Sequence, residues 1–188
     1  LVTKLKEITP DYTIVGEENS SNISEKDINE LKNTKYIWAI DPIDGTASFS
    51  NDLPNWVISL GLLVDGEPKG GWIYAPVWNQ MFYTFPEEDW AYLNGEKLDK
   101  LDFSKGLNIK ENTCIMIDSK TFRKYYLENY NGKVRSFGST AFHITLVASG
   151  KVIAANSIRN KIWDIVAASA IANKCNVHLH YYSGKKVD

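Results

Sequence analysis

The 188-residue chain is 44% hydrophobic and 23% charged, which suits one globular domain or two closely packed halves with a proper core. Its formal net charge is −2, and Lys and Arg are spread along the chain rather than gathered in a stripe. That pattern excludes a nucleic-acid footprint, and pairs such as Arg123-Lys124 and Lys185-Lys186 read as solvated surface. No apolar run approaches the ~18 residues needed to cross a bilayer. Cys114 and Cys175 stand far apart without metal-ligand spacing, as thiols do in a reducing compartment. Leu1 to Glu7 lacks the pattern of a signal peptide. The expectation is a cytoplasmic protein with no membrane partner. The abrupt start without Met and the end at Asp188 read as truncation at both ends.

Tyr12 to Val15 is a short β-prone run ending at Gly16-Glu17-Glu18. Asn19 to Asn33 is polar, with a short helix predicted over Ser24 to Lys32 and Ser24 as its cap. Tyr36 to Ile40 is a continuous apolar strand that stops at Asp41-Pro42. Residues 56 to 94 read as antiparallel sheet: Trp56 to Val64, the Asp65-Gly66 turn, Gly70 to Ala75, Met81 to Phe85, and Trp90 to Leu93 before Asn94-Gly95. The aromatics there are expected to pack rather than to stack on bases.

From about residue 112 strands and helices alternate. Thr113 to Ile117 is a predicted strand, Thr121 to Asn129 a helix and Lys133 to Phe137 a strand. Ser139 to Ser149 is a helix closed by Gly150. Then come a strand at Val152 to Ala155, a helix at Asp164 to Lys174, a strand at Val177 to Tyr182 and a turn at Ser183-Gly184. The expected architecture is α+β to α/β, layered, as a single domain over 1–188. An antiparallel-sheet half (1–111) is followed by an α/β half (112–188).

The chemistry concentrates in Ile40-Asp41-Pro42-Ile43-Asp44-Gly45-Thr46. A buried strand delivers Asp41 at its carboxyl end, and Pro42 stiffens the bend. Asp44 lies three residues on, so a tight turn can bring both carboxylates round one point. Gly45 allows close backbone approach, and Thr46 supplies a hydroxyl and an amide where a helix begins. Alone, the string reads as a capped turn. Two further features weigh toward a cation site beside an anion site. Gly16-Glu17-Glu18 puts acidic groups at another strand end. Trp163-Asp164 opens an Ala-rich helix, where Asp164 by itself reads as an N-cap. Carboxylates at three ends of secondary elements suit a hard, oxygen-ligated cation such as Mg²⁺.

These segments, with Phe49 and Gly138-Ser139-Thr140-Ala141, resemble the inositol monophosphatase family, within a lithium-sensitive superfamily that includes fructose-1,6-bisphosphatases and bisphosphate nucleotidases. The resemblance spans essentially the whole chain. It implies an α-β-α-β-α sandwich and Mg²⁺-dependent hydrolysis of a small phosphorylated metabolite, an inositol monophosphate or a related polyol or sugar phosphate. By that resemblance Glu17, Asp41 and the carbonyl of Ile43 hold one Mg²⁺, and Asp41, Asp44 and Asp164 a second. By the same resemblance Glu17 also touches a weaker third, so the site takes two or three ions. The amides of Gly45 and Thr46 grip phosphate, and Glu17 and Thr46 orient the attacking water. Asp44, Ser139, Thr140 and Ser157 face the substrate, with the amides of the Gly138-Ser139-Thr140 segment turned to its hydroxyls. Ser139 reads equally as an N-cap, and both can hold at once. Relatives are often homodimers.

The chain also departs from the family pattern. Two N-terminal helices and a hairpin that precede the Glu-Glu segment in the family are not evident. Ser157 stands where inositol-specific members carry a glutamate that contacts the ring. That weakens inositol monophosphate as the substrate, and Arg159 and Lys161 point either to a more anionic ester or to solvated loop charge. Rival substrates are fructose 1,6-bisphosphate, histidinol phosphate and a 3′(2′),5′-bisphosphate nucleotide. A non-catalytic sugar-phosphate-binding relative is a further alternative. His143, His178 and His180 have no metal-ligand partner at useful spacing and read as structural, with His178 and His180 on one strand face.

Overall fold

The computed structural model describes residues 1–18, 31–104, 106, 109–119, 121, 130–158 and 160–187. Most of the helices predicted over Ser24 to Lys32 and Thr121 to Asn129 lies outside them, as do Lys120, Arg123, Lys124 and Arg159.

A short helix, α1 (Val2–Ile8), precedes the first strand and is not anticipated from the sequence. Seven strands then pair in chain order: β1 (Thr13–Gly16), β2 (Tyr36–Asp44), β3 (Val57–Val64), β4 (Glu67–Ala75), β5 (Gln80–Thr84), β6 (Tyr92–Leu93) and β7 (Glu96–Lys97). All neighbours are antiparallel except β1 and β2, which run parallel. A second sheet has the order β10–β8–β9 and is parallel throughout: β8 (Cys114–Ile117), β9 (Lys133–Arg135) and β10 (Ala154–Asn156).

Three further helices among the described residues complete the frame: α2 (Thr46–Ser50), α3 (Thr140–Ala148) and α4 (Ile162–Lys174). Helix α4 lies across β3 and β4 and against α3. The two faces of β2 divide by alternation. Ile37 and Ala39 pack with Trp163 and Val166 of α4, whereas Trp38 and Ile40 pack with Leu5 of α1 and Leu62.

The approach of α4 is set by small residues on both sides. Ala167, Ala168, Ala170 and Ala172 are fully buried. Beneath them lie Gly61 and Gly71, where a Cβ would strike the helix: at Gly61 it would come within 2.6 Å of Val166 Cγ1, and at Gly71 it would meet Ala167 O. This close seat carries the first turn of α4, and Asp164 with it, against the sheet.

Two expectations need correction. Helix α4 begins at Ile162 with Lys161 as N-cap, so Asp164 is the third helical residue and not the cap; its carboxylate accepts the Lys161 N–H at 2.7 Å. Val177 to Tyr182 is not a strand. It makes an isolated antiparallel bridge, His180 with Lys186. With no ladder to join, its alternating pattern leaves His178, His180, Tyr181 and Tyr182 exposed, so His178 and His180 share no strand face.

Candidate metal and phosphate site

In a regular strand, residues three apart point to opposite faces. Strand β2 escapes that rule through a bulge: Asp41 pairs with Ser59 and Asp44 with Val57. Three steps along β2 therefore match two along β3, and both carboxylates share a face. It is the face of Ile37 and Ala39, turned toward α4. The Ile43 N–H donates to Asp41 Oδ1 at 2.9 Å and closes the bend. Gly45 follows with φ +100°, a left-handed conformation that a side chain would strain, and its Cβ position lies 3.1 Å from Asn55 O. Thr46 starts α2, and its hydroxyl donates to Ile43 O at 3.3 Å.

Asp44 ties the two halves together. Its Oδ2 accepts from Ser139 Oγ at 2.8 Å and Ala141 N at 2.6 Å, and its Oδ1 accepts from Thr140 N at 3.3 Å. Ser139 Oγ in turn accepts the Phe142 N–H at 3.1 Å, which makes it the N-cap of α3. Ser139 is fully buried, so its hydroxyl lies beneath the cleft. The Thr140 and Ala141 amides serve Asp44 rather than a ligand. Thr140 Oγ1 lies 3.0 Å from Ser157 Oγ, which donates to Asn160 Oδ1 at 2.7 Å. These three residues line a cavity of about 790 Å³ that continues past Ile158 to Tyr181 and Tyr182.

Glu17 and Glu18 are exposed just beyond β1. Gly16 pairs with Ile40, so one further step of that register sets Glu17 beside Asp41. The electrostatics agree. Burial first, then the charge of Asp44, pushes the Asp41 carboxyl up to about 7, against the Ile43 amide and with Glu17 and Asp164 adding. Burial likewise raises Asp44 to about 6, opposed mainly by the Ala141 and Ser139 hydrogen bonds. Asp41 therefore sits within the fields of Asp44, Glu17 and Asp164, and Asp44 within that of Asp164.

Among the described residues no three acidic, His or Cys side chains already close on one point as a cage. Like charges in a buried place favour the protonated carboxyl until a cation offsets them. Asp41 is 3% exposed and accepts a single hydrogen bond among the described residues, and Ser59 Oγ, fully buried opposite it, has no partner there. Spare acceptors and an orphaned hydroxyl beside raised carboxyls fit a hydrated divalent ion, since Mg²⁺ takes few carboxylates and keeps water.

The histidines stay outside this set. His143 is buried in α3, and its Nε2 accepts the Phe137 N–H at 2.8 Å. Arg135 is exposed at the end of β9. Cys114 and Cys175 are free thiols, and no helix among the described residues is long and apolar enough to cross a membrane. The sequence reading missed Ser59, Asn160 and Asp118. A signal for the last was available: an aspartate between a predicted strand and a predicted helix is a helix-cap candidate.

The family match places this fold of two layered sheets among the hydrolases of phosphoric monoesters. The chain matches the model of the inositol monophosphatase family over residues 1–188 and belongs to that family. A Thermotoga maritima fructose-1,6-bisphosphatase/inositol-1-monophosphatase is 30% identical over 191 residues, which take in 100% of this chain and 69% of that protein. The Bacillus subtilis inositol-1-monophosphatase is 30% identical over 181 residues, 92% of this chain and 64% of that protein. Inositol monophosphatase II from Staphylococcus aureus shares the fold, with a TM-score of 0.83 at 24% identity over 99% of this chain and 71% of that one. A structure of SaIMPase-II with inositol monophosphate bound gives 0.76 at 25% identity over 93% and 66%. The chain thus spans about two thirds of the length of the curated relatives it matches.

Proposed function

We propose that this chain carries the catalytic site of a Mg²⁺-dependent phosphomonoesterase acting on a small polyol or sugar phosphate. The observation that carries the reading is the β2 bulge, which turns two buried carboxylates to one face, with Asp164 acting on both and Glu17 on Asp41. Glu17, Asp41 and the Ile43 carbonyl would hold one ion; Asp41, Asp44 and Asp164 would hold a second. Asp44 Oδ2 already accepts two hydrogen bonds and Oδ1 one, so Oδ1 retains a lone pair for an ion. Bound divalent ions supply Lewis acidity, making water a better nucleophile at neutral pH and offsetting charge on the ester.

The chain's own groups do the rest. The Gly45 and Thr46 amides bind phosphate oxygens. Glu17 and the Thr46 hydroxyl orient the attacking water, with Glu17 accepting its proton. The water oxygen bonds to phosphorus, the ester P–O bond breaks with its electron pair on the alcohol oxygen, and a proton ends on that oxygen. Ser139 acts through Asp44, while Thr140 and Ser157 meet the leaving alcohol. SaIMPase-II, solved with inositol monophosphate, supports a polyol ester. The name of the Thermotoga maritima relative supports a sugar bisphosphate beside it. A cytoplasmic location, homodimer formation and inhibition by Li⁺ belong to the same reading.

The test is phosphate release from inositol monophosphate, fructose 1,6-bisphosphate, histidinol phosphate and 3′-phosphoadenosine 5′-phosphate, each with and without Mg²⁺. Release from at least one ester that needs Mg²⁺ and falls with Li⁺ is expected. Silence on all four would move the chain to a sugar-phosphate-binding role.

A further inference from the structure

The second sheet is parallel, so the carboxyl ends of β9, β8 and β10 lie along one edge. Open parallel sheets receive ligands at that edge. The chain leaving β9 leads to Ser139 and Thr140, and the chain leaving β10 to Ser157 and Asn160. The central strand, β8, delivers Asp118 between them, and the catalytic reading gives this residue no part.

Asp118 Oδ1 accepts the Thr121 N–H at 2.6 Å, Oδ2 accepts the Ile158 N–H at 2.8 Å, and the Asp118 N–H donates to Asn156 O at 3.2 Å. One carboxylate therefore pins the turn after β8 and the loop after β10 to a single point. Either side of Ile158 in sequence are the hydrogen-bonding groups of that loop. Ser157 lies against Thr140, and Asn160 accepts from Ser157. Burial alone would push the Asp118 carboxyl up, but the Thr121 and Ile158 amides outweigh it and hold the carboxyl below its ordinary value. A charged acceptor of two backbone amides is a strong and directional tie.

We propose that Asp118 is a positioning residue for the leaving-group side of the site: it sets Ser157 and Asn160 against Thr140, and through them governs which alcohol the site accepts. The inference rests on the phosphatase reading. The hydrogen bonds of Asp118 go to Thr121, Ile158 and Asn156, and among the described residues none goes to Gly45 or Thr46, so its removal is expected to loosen the grip on the alcohol and leave the grip on phosphate intact.

The test compares the full chain with Asp118→Ala and Asp118→Asn, measuring kcat, KM for the best ester, inhibition by inorganic phosphate, and hydrogen exchange at the Ile158 amide. In Asp118→Ala, KM is expected to rise about tenfold and Ile158 exchange to quicken at least about tenfold, while kcat and phosphate inhibition stay within about twofold. Asp118→Asn keeps one acceptor and is expected to raise KM only about threefold. An unchanged KM in both variants overturns the proposal. So does a joint loss of kcat, KM and phosphate inhibition, which would mark a general loss of structure. If the unaltered chain hydrolyses no ester, it is the phosphatase reading that fails; Ile158 exchange then decides positioning alone, and unchanged exchange in Asp118→Ala overturns it.

Discussion

Asp41 is the residue on which the site turns, and its burial has a measurable consequence. A carboxyl whose folded pKa stands above its unfolded value is charged more reluctantly in the fold. At low pH both states are protonated and nothing is lost. As pH rises from about 4 the unfolded chain ionises first, and stability falls until the folded group ionises, near pH 7 for Asp41 and near 6 for Asp44. His143 acts in the opposite direction over part of that window. Burial lowers it to about 4 from 6.5, so stability is lost as pH falls between those values. Asp41→Asn isolates the first effect. Without metal, its stability advantage over the parent chain, read by chemical denaturation, is expected to grow between pH of about 4 and about 7. Added Mg²⁺ should stabilise the parent more than the variant. A constant difference across that range would mean that Asp41 is not held as described. Ser59 offers a second check. Its hydroxyl is buried without a partner among the described residues, so Ser59→Ala is expected to stabilise the metal-free chain by about 1 kcal/mol. A loss of that size would show that the hydroxyl is already paired.

At the scale of elements, the site depends on three contacts that bring separate segments to one face: the β2 bulge, the Asp44 tie to α3, and the seat of α4 on Gly61 and Gly71. The last contains no acidic residue and so gives a clean prediction. Gly71→Ala places a methyl group against Ala167 O. It should cost about 1–3 kcal/mol of stability and reduce phosphate release, because α4 carries Asp164 away from Asp41. Retention of full activity and stability would mean that the helix has room to spare. Ser139→Ala removes both the N-cap of α3 and a donor to Asp44. A loss of about 1–2 kcal/mol is expected, and a change of less than a few tenths would contradict the tie.

Much of this was legible in local sequence. Continuous apolar runs marked β2 to β5, and Ser139 with Gly150 bracketed α3. Asp-Pro-Ile-Asp-Gly-Thr marked the acidic turn. What local pattern could not show was pairing. A tight turn is the expected way to bring Asp41 and Asp44 together, but β2 runs on to Asp44 and a bulge does it instead, and a bulge exists only relative to β3. The run Val177 to Tyr182 has strand composition but no ladder to join. Glycines 61 and 71 read as weak points in strands until the helix above them is seen.

Across the whole molecule, the two sheets contribute different things. The first supplies Glu17, Asp41, Asp44 and the turn proposed to bind phosphate, and the second supplies Thr140, Ser157 and the Asp118 tie. Asp44, hydrogen-bonded across to Ser139, Thr140 and Ala141, joins them. The chain belongs to the inositol monophosphatase family, and under the proposed reading the choice of alcohol falls to the second sheet. The most direct measurement of the central claim is the rate of phosphate release from the best ester as Mg²⁺ is titrated, for the parent chain and for Asp41→Asn. The parent rate should rise from background to saturation with Mg²⁺, while Asp41→Asn should stay folded and remain at background at every concentration. A parent rate indifferent to Mg²⁺, or near-normal turnover in Asp41→Asn, would contradict it.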